Sequence, residues 1–177
     1  MNELFKKELS KTKKFVKKDI YDAWQKRLNE GKLIRAQNTM DHFCSFFLPF
    51  NRQSMSIYIG HHINSGLWLP PGGHIENNES PLDTVKREME EELGVKAKDF
   101  SIKLFNLTIT QIKDKTRHCK IHYDFWYLLD SEKIDFKFDK SEFYKAGWYA
   151  VDTALTKVNQ DTVRRSFVKL KKNHHTL

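Results

Sequence analysis

The chain predicts an α/β fold, a mixed β-sheet sandwiched by helices, with a helical N-terminal extension. Three observations lead there. Aromatic and apolar runs at residues 42–50 and 54–62 read as paired strands, an amphipathic stretch at 81–93 reads as one helix set among strands, and apolar residues at helical spacing recur near both ends. The 177 residues are 39% hydrophobic and include 13 phenylalanines and four tryptophans, enough for one sizeable core.

Near the N-terminus, Lys6, Lys7, Lys11, Lys13, Lys14, Lys17 and Lys18 are interleaved with Leu4, Phe5, Leu9, Phe15, Val16 and Ile20, the pattern of one or two basic amphipathic helices reaching Gly31. Residues 1–38 are assigned to this extension and 39–177 to the main domain. His42–Phe50 and Ser54–His62 flank the polar turn Asn51–Gln53 and form a predicted hairpin. A second extended pair, Phe100–Ile112 and Arg117–Leu129, surrounds the turn signal Lys113–Thr116, and Lys145–Val151 gives a short further strand. In the last segment, Asp161 is the expected cap of a helix that turns Val163, Phe167 and Leu170 inward.

The helix at 81–93 has the clearest boundaries. Ser80, Pro81 and Asp83 read as N-cap, first-turn proline and third-position acid, and Gly94 supplies a left-handed stop. Leu82, Val85, Met89 and Leu93 make one apolar stripe. Glu88, Glu91 and Glu92, three and four residues apart, project from a neighbouring face. Carboxylates crowded this way raise one another's pKa unless a cation neutralises them, and oxygen-only donors favour a hard divalent ion, magnesium or manganese. Before the helix, Gly72 and Gly73 let the backbone approach a ligand closely.

Residues 73–95 place Gly73, Glu79, Arg87, Glu88, Glu91, Glu92 and Gly94, with apolar Met89 and Val95, at the spacing Gly, five free residues, Glu, seven free residues, Arg-Glu-apolar-free-Glu-Glu-free-Gly-apolar. This stretch resembles the Nudix box at every constrained position. The resemblance implies the same α/β/α sandwich across roughly residues 40–172. It also implies that Glu88 and Glu92 are the principal metal ligands, that Glu91 binds a further ion or acts as base, and that the Gly72 carbonyl is a ligand. Arg87 would pair with Glu79 and hold helix and loop in register, with Gly73 supporting the same loop. The catalytic assignments are Glu91 and, after it, Glu88. The reaction implied is water attack on phosphorus in a diphosphate linkage, without a covalent intermediate.

His118, His122 and Asp124 fall on the predicted strand 117–129 with alternate residues sharing a face, and His61 and His62 precede the glycine loop. His62, His122 and Asp124 are candidate substrate contacts for phosphate or base, should that face line the cleft. A dedicated zinc site is not expected, because the spacing is not that of a helical or knuckle motif. Most large aromatics are read as core, with Trp68 and Tyr127 as alternative pocket walls.

The substrate flags of the family are missing: no proline follows Pro81, Gln111, Ile112 and Lys113 stand where some dinucleotide polyphosphate hydrolases carry tyrosine, and no coenzyme A signature is recognised. The expected substrate is therefore a nucleoside triphosphate or another nucleoside diphosphate derivative. Two rival readings are an RNA 5'-end pyrophosphohydrolase, guided by the basic extension, and a non-catalytic nucleotide-binding module. The formal net charge of +8 would attract polyanions, but a lysine-rich helix packing its apolar stripe on the main domain is the commoner arrangement, so nucleic acid is the second choice of partner. No apolar run of membrane-spanning length and no secretory signal are read, and Cys44 and Cys119 form no CxxC, so a reduced cytoplasmic location is expected.

Overall fold

The computed structural model describes residues 2–114, 116 and 118–175. Lys115 and Arg117, in the expected turn and at the expected start of a strand, lie outside them. Among the described residues the order is α1 (Asn2–Lys11), α2 (Lys18–Asn29), β1 (Asp41–Asn51), β2 (Ser56–His62), β3 (Trp68–Leu69), β4 (Gly72–His74), α3 (Pro81–Leu93), β5 (Ser101–Gln111), β6 (Ile121–Asp130), β7 (Phe143–Ala150), α4 (Val151–Lys157) and α5 (Asp161–Asn173). The expected mixed sheet with helices is present: hydrogen-bonded neighbours follow the order β3-β2-β1-β6-β5, with β4 pairing β1 and β7 pairing β2. No helix among the described residues is long and apolar enough to cross a membrane.

The chain forms two compact units, one of residues 1–46, 72–85 and 104–127, the other of 47–71, 86–103 and 128–177. In the first, the two N-terminal helices supply core. Phe5, Leu9, Trp24 and Leu28 are all buried, and Trp24 meets Phe43 and Phe125 edge to face at 5.2 and 4.6 Å. The lysines of these helices are left on the solvent side, as the amphipathic pattern required. Arg27 is the exception. Its guanidinium, nearly fully buried, reaches Asp41 and donates to the carbonyls of Gly31 and Lys32 at 2.8 and 3.0 Å, which ties the end of α2 to the start of β1.

Gly72, at the start of β4, pairs with Phe46 of β1 at φ +139°. A Cβ there would stand 2.3 Å from the Ser45 carbonyl oxygen and 2.7 Å from the Phe46 Cα, both backbone atoms that cannot swing aside. Gly72→Ala is therefore expected to lower stability by about 2–4 kcal/mol, through backbone strain plus overlap. The midpoint of urea unfolding would measure it, and an unchanged midpoint would show that β4 can separate from β1 at little cost.

The second unit holds the hairpin tip and the C-terminal elements. Phe50 pairs with Ile57 and Asn51 with Ser56, and the Asn51 carboxamide oxygen accepts the Ser54 backbone N–H at 2.8 Å, so the expected polar turn is closed by its own asparagine. β7 lies antiparallel to β2 from Ser56↔Ala150 to His62↔Phe143. This strand begins two residues before the predicted 145–151, and Val151 belongs to α4 instead; its N–H donates to Met55 O at 3.0 Å. In α5, Val163, Phe167 and Leu170 face inward as predicted, but Asp161 is the first helical residue and Gln160 the cap.

One predicted strand is shorter than expected. β6 begins at Ile121, and the Lys120 N–H goes to Met40 O at 2.7 Å, while His118 is exposed in a bend. His118 therefore does not share a strand face with His122 and Asp124.

Candidate active site

Helix α3 starts where local chemistry directs. The Asp83 N–H donates to Ser80 Oγ at 3.1 Å, while Asp83 Oδ2 accepts the Ser80 hydroxyl at 2.6 Å and its N–H at 3.3 Å, a reciprocal capping box with aspartate in the usual glutamate place. It ends at Gly94, φ +67°, with Gly94 N–H bonded to Glu90 O at 3.2 Å and Val95 N–H to Met89 O at 3.1 Å. Val85, Met89 and Leu93 are buried along its apolar stripe, with Leu82 half-buried.

The three box carboxylates divide by environment. Glu88 and Glu92, one turn apart, are 9% and 4% exposed, whereas the Glu91 side chain stands 57% exposed. Arg87 donates through Nη1 to Glu88 Oε1 and to Glu91 Oε2, each at 2.8 Å, so a single guanidinium holds both carboxylates in place. Two buried carboxylates on successive turns, offering oxygen only, are a donor set suited to a hard divalent cation. In the first unit, Glu79 accepts the Thr84 hydroxyl at 2.8 Å and the Glu76 N–H at 3.1 Å, and Gly73 pairs with Ser45 in the β1–β4 ladder. Glu79 thus braces the turn that leads into α3.

The histidine candidates separate. His62, in the second unit, has Nε2 at 3.2 Å from Glu142 and accepts the Ser65 N–H at Nδ1. Asp124 is buried, its Oδ2 accepting hydroxyls from Thr108 at 2.9 Å and Thr110 at 2.5 Å, and Trp126 Nε1 donates to the same Thr108 oxygen. Burial pushes the Asp124 carboxyl up to about 7, against the downward pull of the two threonines. His122 lies beside His42 and His74, with ring centroids 5.0 and 5.3 Å away. Sequence reasoning had not singled out His42, Cys44 or His74. The only signal was the alternation of His42 and Cys44 on one strand face. Of the two alternative wall residues, Tyr127 is buried with its hydroxyl 3.1 Å from Glu8, while Trp68 is half-buried, stacked on His61 at 5.4 Å and faced by Lys157 at 4.7 Å.

A capped helix carrying Arg-Glu and Glu-Glu-free-Gly, with strands before and after it, defines the Nudix class. Residues 47–170 match the NUDIX domain family, and the chain belongs to it. Among curated proteins, a probable DHNTP pyrophosphohydrolase of Lactococcus lactis subsp. cremoris is 33% identical over 97 residues, 52% of this chain and 57% of that protein. The match thus spans little more than half of that relative's length. Among solved structures, the E. coli dihydroneopterin triphosphate pyrophosphohydrolase has a TM-score of 0.67 at 13% identity, covering 74% of this chain and 95% of its own. A C. elegans Ap4A hydrolase in a binary complex gives 0.61 at 13% identity, covering 76% and 99%. At such identities the two structures speak for the fold.

Proposed function

We propose that the protein is a divalent-metal-dependent hydrolase that cleaves a phosphoanhydride bond in the triphosphate of a nucleoside or a nucleoside-like heterocycle. The observation that carries this is the pair of buried carboxylates Glu88 and Glu92 on successive turns of α3, with Arg87 holding Glu88 and the exposed Glu91. Membership of the family supports the reaction, and the pyrophosphohydrolase names borne by a sequence relative and by a structural neighbour support a triphosphate that releases pyrophosphate.

Glu88 and Glu92 would hold the ion, Mg2+ or Mn2+. When bound, such an ion lowers the pKa of the attacking water and neutralises phosphate oxygens. Glu91 takes the proton from water as its oxygen forms a bond to phosphorus, and the bond from phosphorus to the bridging oxygen breaks, so that pyrophosphate leaves with the electron pair. Arg87 keeps Glu91 oriented for that transfer. Its role is positional.

A release assay for phosphate and pyrophosphate tests this reading. It would be run with Mg2+ and with Mn2+ on nucleoside triphosphates, dihydroneopterin triphosphate, nucleotide sugars, dinucleoside polyphosphates and 5'-triphosphorylated RNA. Metal-dependent pyrophosphate from the small triphosphates is expected. Silence across the panel with tight nucleotide binding would instead make this a binding module.

A further inference from the structure

We infer that His42, Cys44, His74 and His122 form a four-ligand site for a transition metal ion of the zinc class, using none of the box glutamates. All four residues belong to the first unit. Each offers one donor atom, and these donors lie within 4.8 Å of one another.

Three strands deliver them. His42 and Cys44 are two residues apart on β1 and so share a face. His74 stands directly opposite Cys44 in the antiparallel β1–β4 ladder, and His122 comes from β6, the neighbour of β1 in the sheet order. The three imidazoles are tilted 46°, 56° and 90° to one another at centroid distances of 4.8–5.3 Å. None of the three pairs is parallel-stacked. They converge on a common space.

Tetrahedral donors around zinc, with ligand bonds of about 2.0–2.3 Å, stand about 3.3–3.7 Å apart. The widest separation here, at most 4.8 Å, is thus within about 1.5 Å of that spacing, a gap that side-chain rotation can close. The donor set excludes magnesium on chemical grounds: imidazole and thiolate suit zinc, copper, iron or nickel, while magnesium takes oxygen.

His42 carries the second, independent observation. The residue is fully buried, and its Nδ1 lies 2.9 Å from the Asn38 carbonyl oxygen. A carbonyl only accepts, so Nδ1 carries the proton and Nε2 presents its lone pair. That Nε2 is buried and has no hydrogen-bond partner among the described residues. An orphaned buried acceptor is costly, and ligation of an ion relieves the cost. Asn38 is itself held: its Nδ2 donates to Asp41 Oδ1 at 2.9 Å, and the same carboxylate oxygen receives the Arg27 Nε at 2.7 Å. Helix α2 thereby orients His42 through Arg27, Asp41 and Asn38. Four protein donors with no position left open make the site structural. It would clasp β1, β4 and β6 at one point.

Full-length, tag-free protein kept under reductant would be assayed for metal by plasma mass spectrometry, then stripped and titrated with Co2+. The expected results are one zinc per chain and a cobalt spectrum of tetrahedral intensity with a thiolate charge-transfer band in the near ultraviolet. Both should survive Glu92→Gln, and Cys44→Ser should remove the charge-transfer band and weaken zinc binding at least about tenfold. The wild-type titration reads the site even if a variant fails to fold. Two results would overturn the inference: wild-type protein that holds no zinc and gives no thiolate band with cobalt, or uptake lost in Glu92→Gln and kept in Cys44→Ser.

Discussion

Glu92→Gln is expected to reduce kcat by about 1,000-fold or more while the protein stays folded, the scale of losing a group that acts on the transition state. Glutamine has the volume and shape of glutamate, so the packing of α3 around a residue only 4% exposed is retained. What disappears is one buried negative charge. Without metal the variant should unfold at the same temperature as wild type or higher, because removing an anion from a crowded, buried cluster relieves repulsion and desolvation. With saturating Mg2+ or Mn2+, wild type should gain stability from binding and the variant should gain less. Steady-state rates and thermal unfolding with and without metal would measure both. Near-normal turnover with an undiminished metal shift would remove Glu92 from the metal site. Loss of turnover together with collapse of the fold would make its role structural.

Trp24→Ala is expected to cost about 3–5 kcal/mol of stability, the range for deleting a fully buried large aromatic. Trp24 is 0% exposed and packs edge to face on Phe43, Tyr123 and Phe125 at 5.2, 5.7 and 4.6 Å. Its indole N–H makes no hydrogen bond among the described residues, so the loss is one of packing. The result bears on what the N-terminal helices are. A detachable extension would lose little when Trp24 is truncated, below about 1 kcal/mol, whereas helices that share a core with β1 and β6 would lose the full amount. Equilibrium unfolding in urea distinguishes the two, and Trp24→Phe should recover most of the difference.

Much of α3 was legible in the chain because its determinants are local. A cap, a first-turn proline, an apolar stripe and a glycine stop each act within one or two turns, and residues Pro81–Leu93 form the helix as predicted. The hairpin at Asn51 was readable for the same reason. β6 was read too long. Whether His118–Lys120 extend the strand depends on where the Lys120 N–H finds its acceptor, and that acceptor, Met40 O, is distant in sequence.

The box glutamates illustrate the limit at the site itself. Spacing put Glu88, Glu91 and Glu92 together on one face of the helix, beside its apolar stripe. Their division into two buried carboxylates and one exposed is set by what packs against α3, which helical periodicity does not encode. The role of the N-terminal segment was likewise half visible. Its amphipathic pattern called for helices with a buried stripe, but two of Trp24's ring partners, Tyr123 and Phe125, come from β6, far later in the chain.

The sequence by itself determined the α/β class, the helix Pro81–Leu93 with its limits, and membership of the Nudix family, because these rest on residues close enough to interact within one element. Only the tertiary structure decided that His42, Cys44, His74 and His122 converge. Their ligand spacing is produced by strand pairing and register, and bringing such distant segments together is a property of the folded sheet that no local pattern carries.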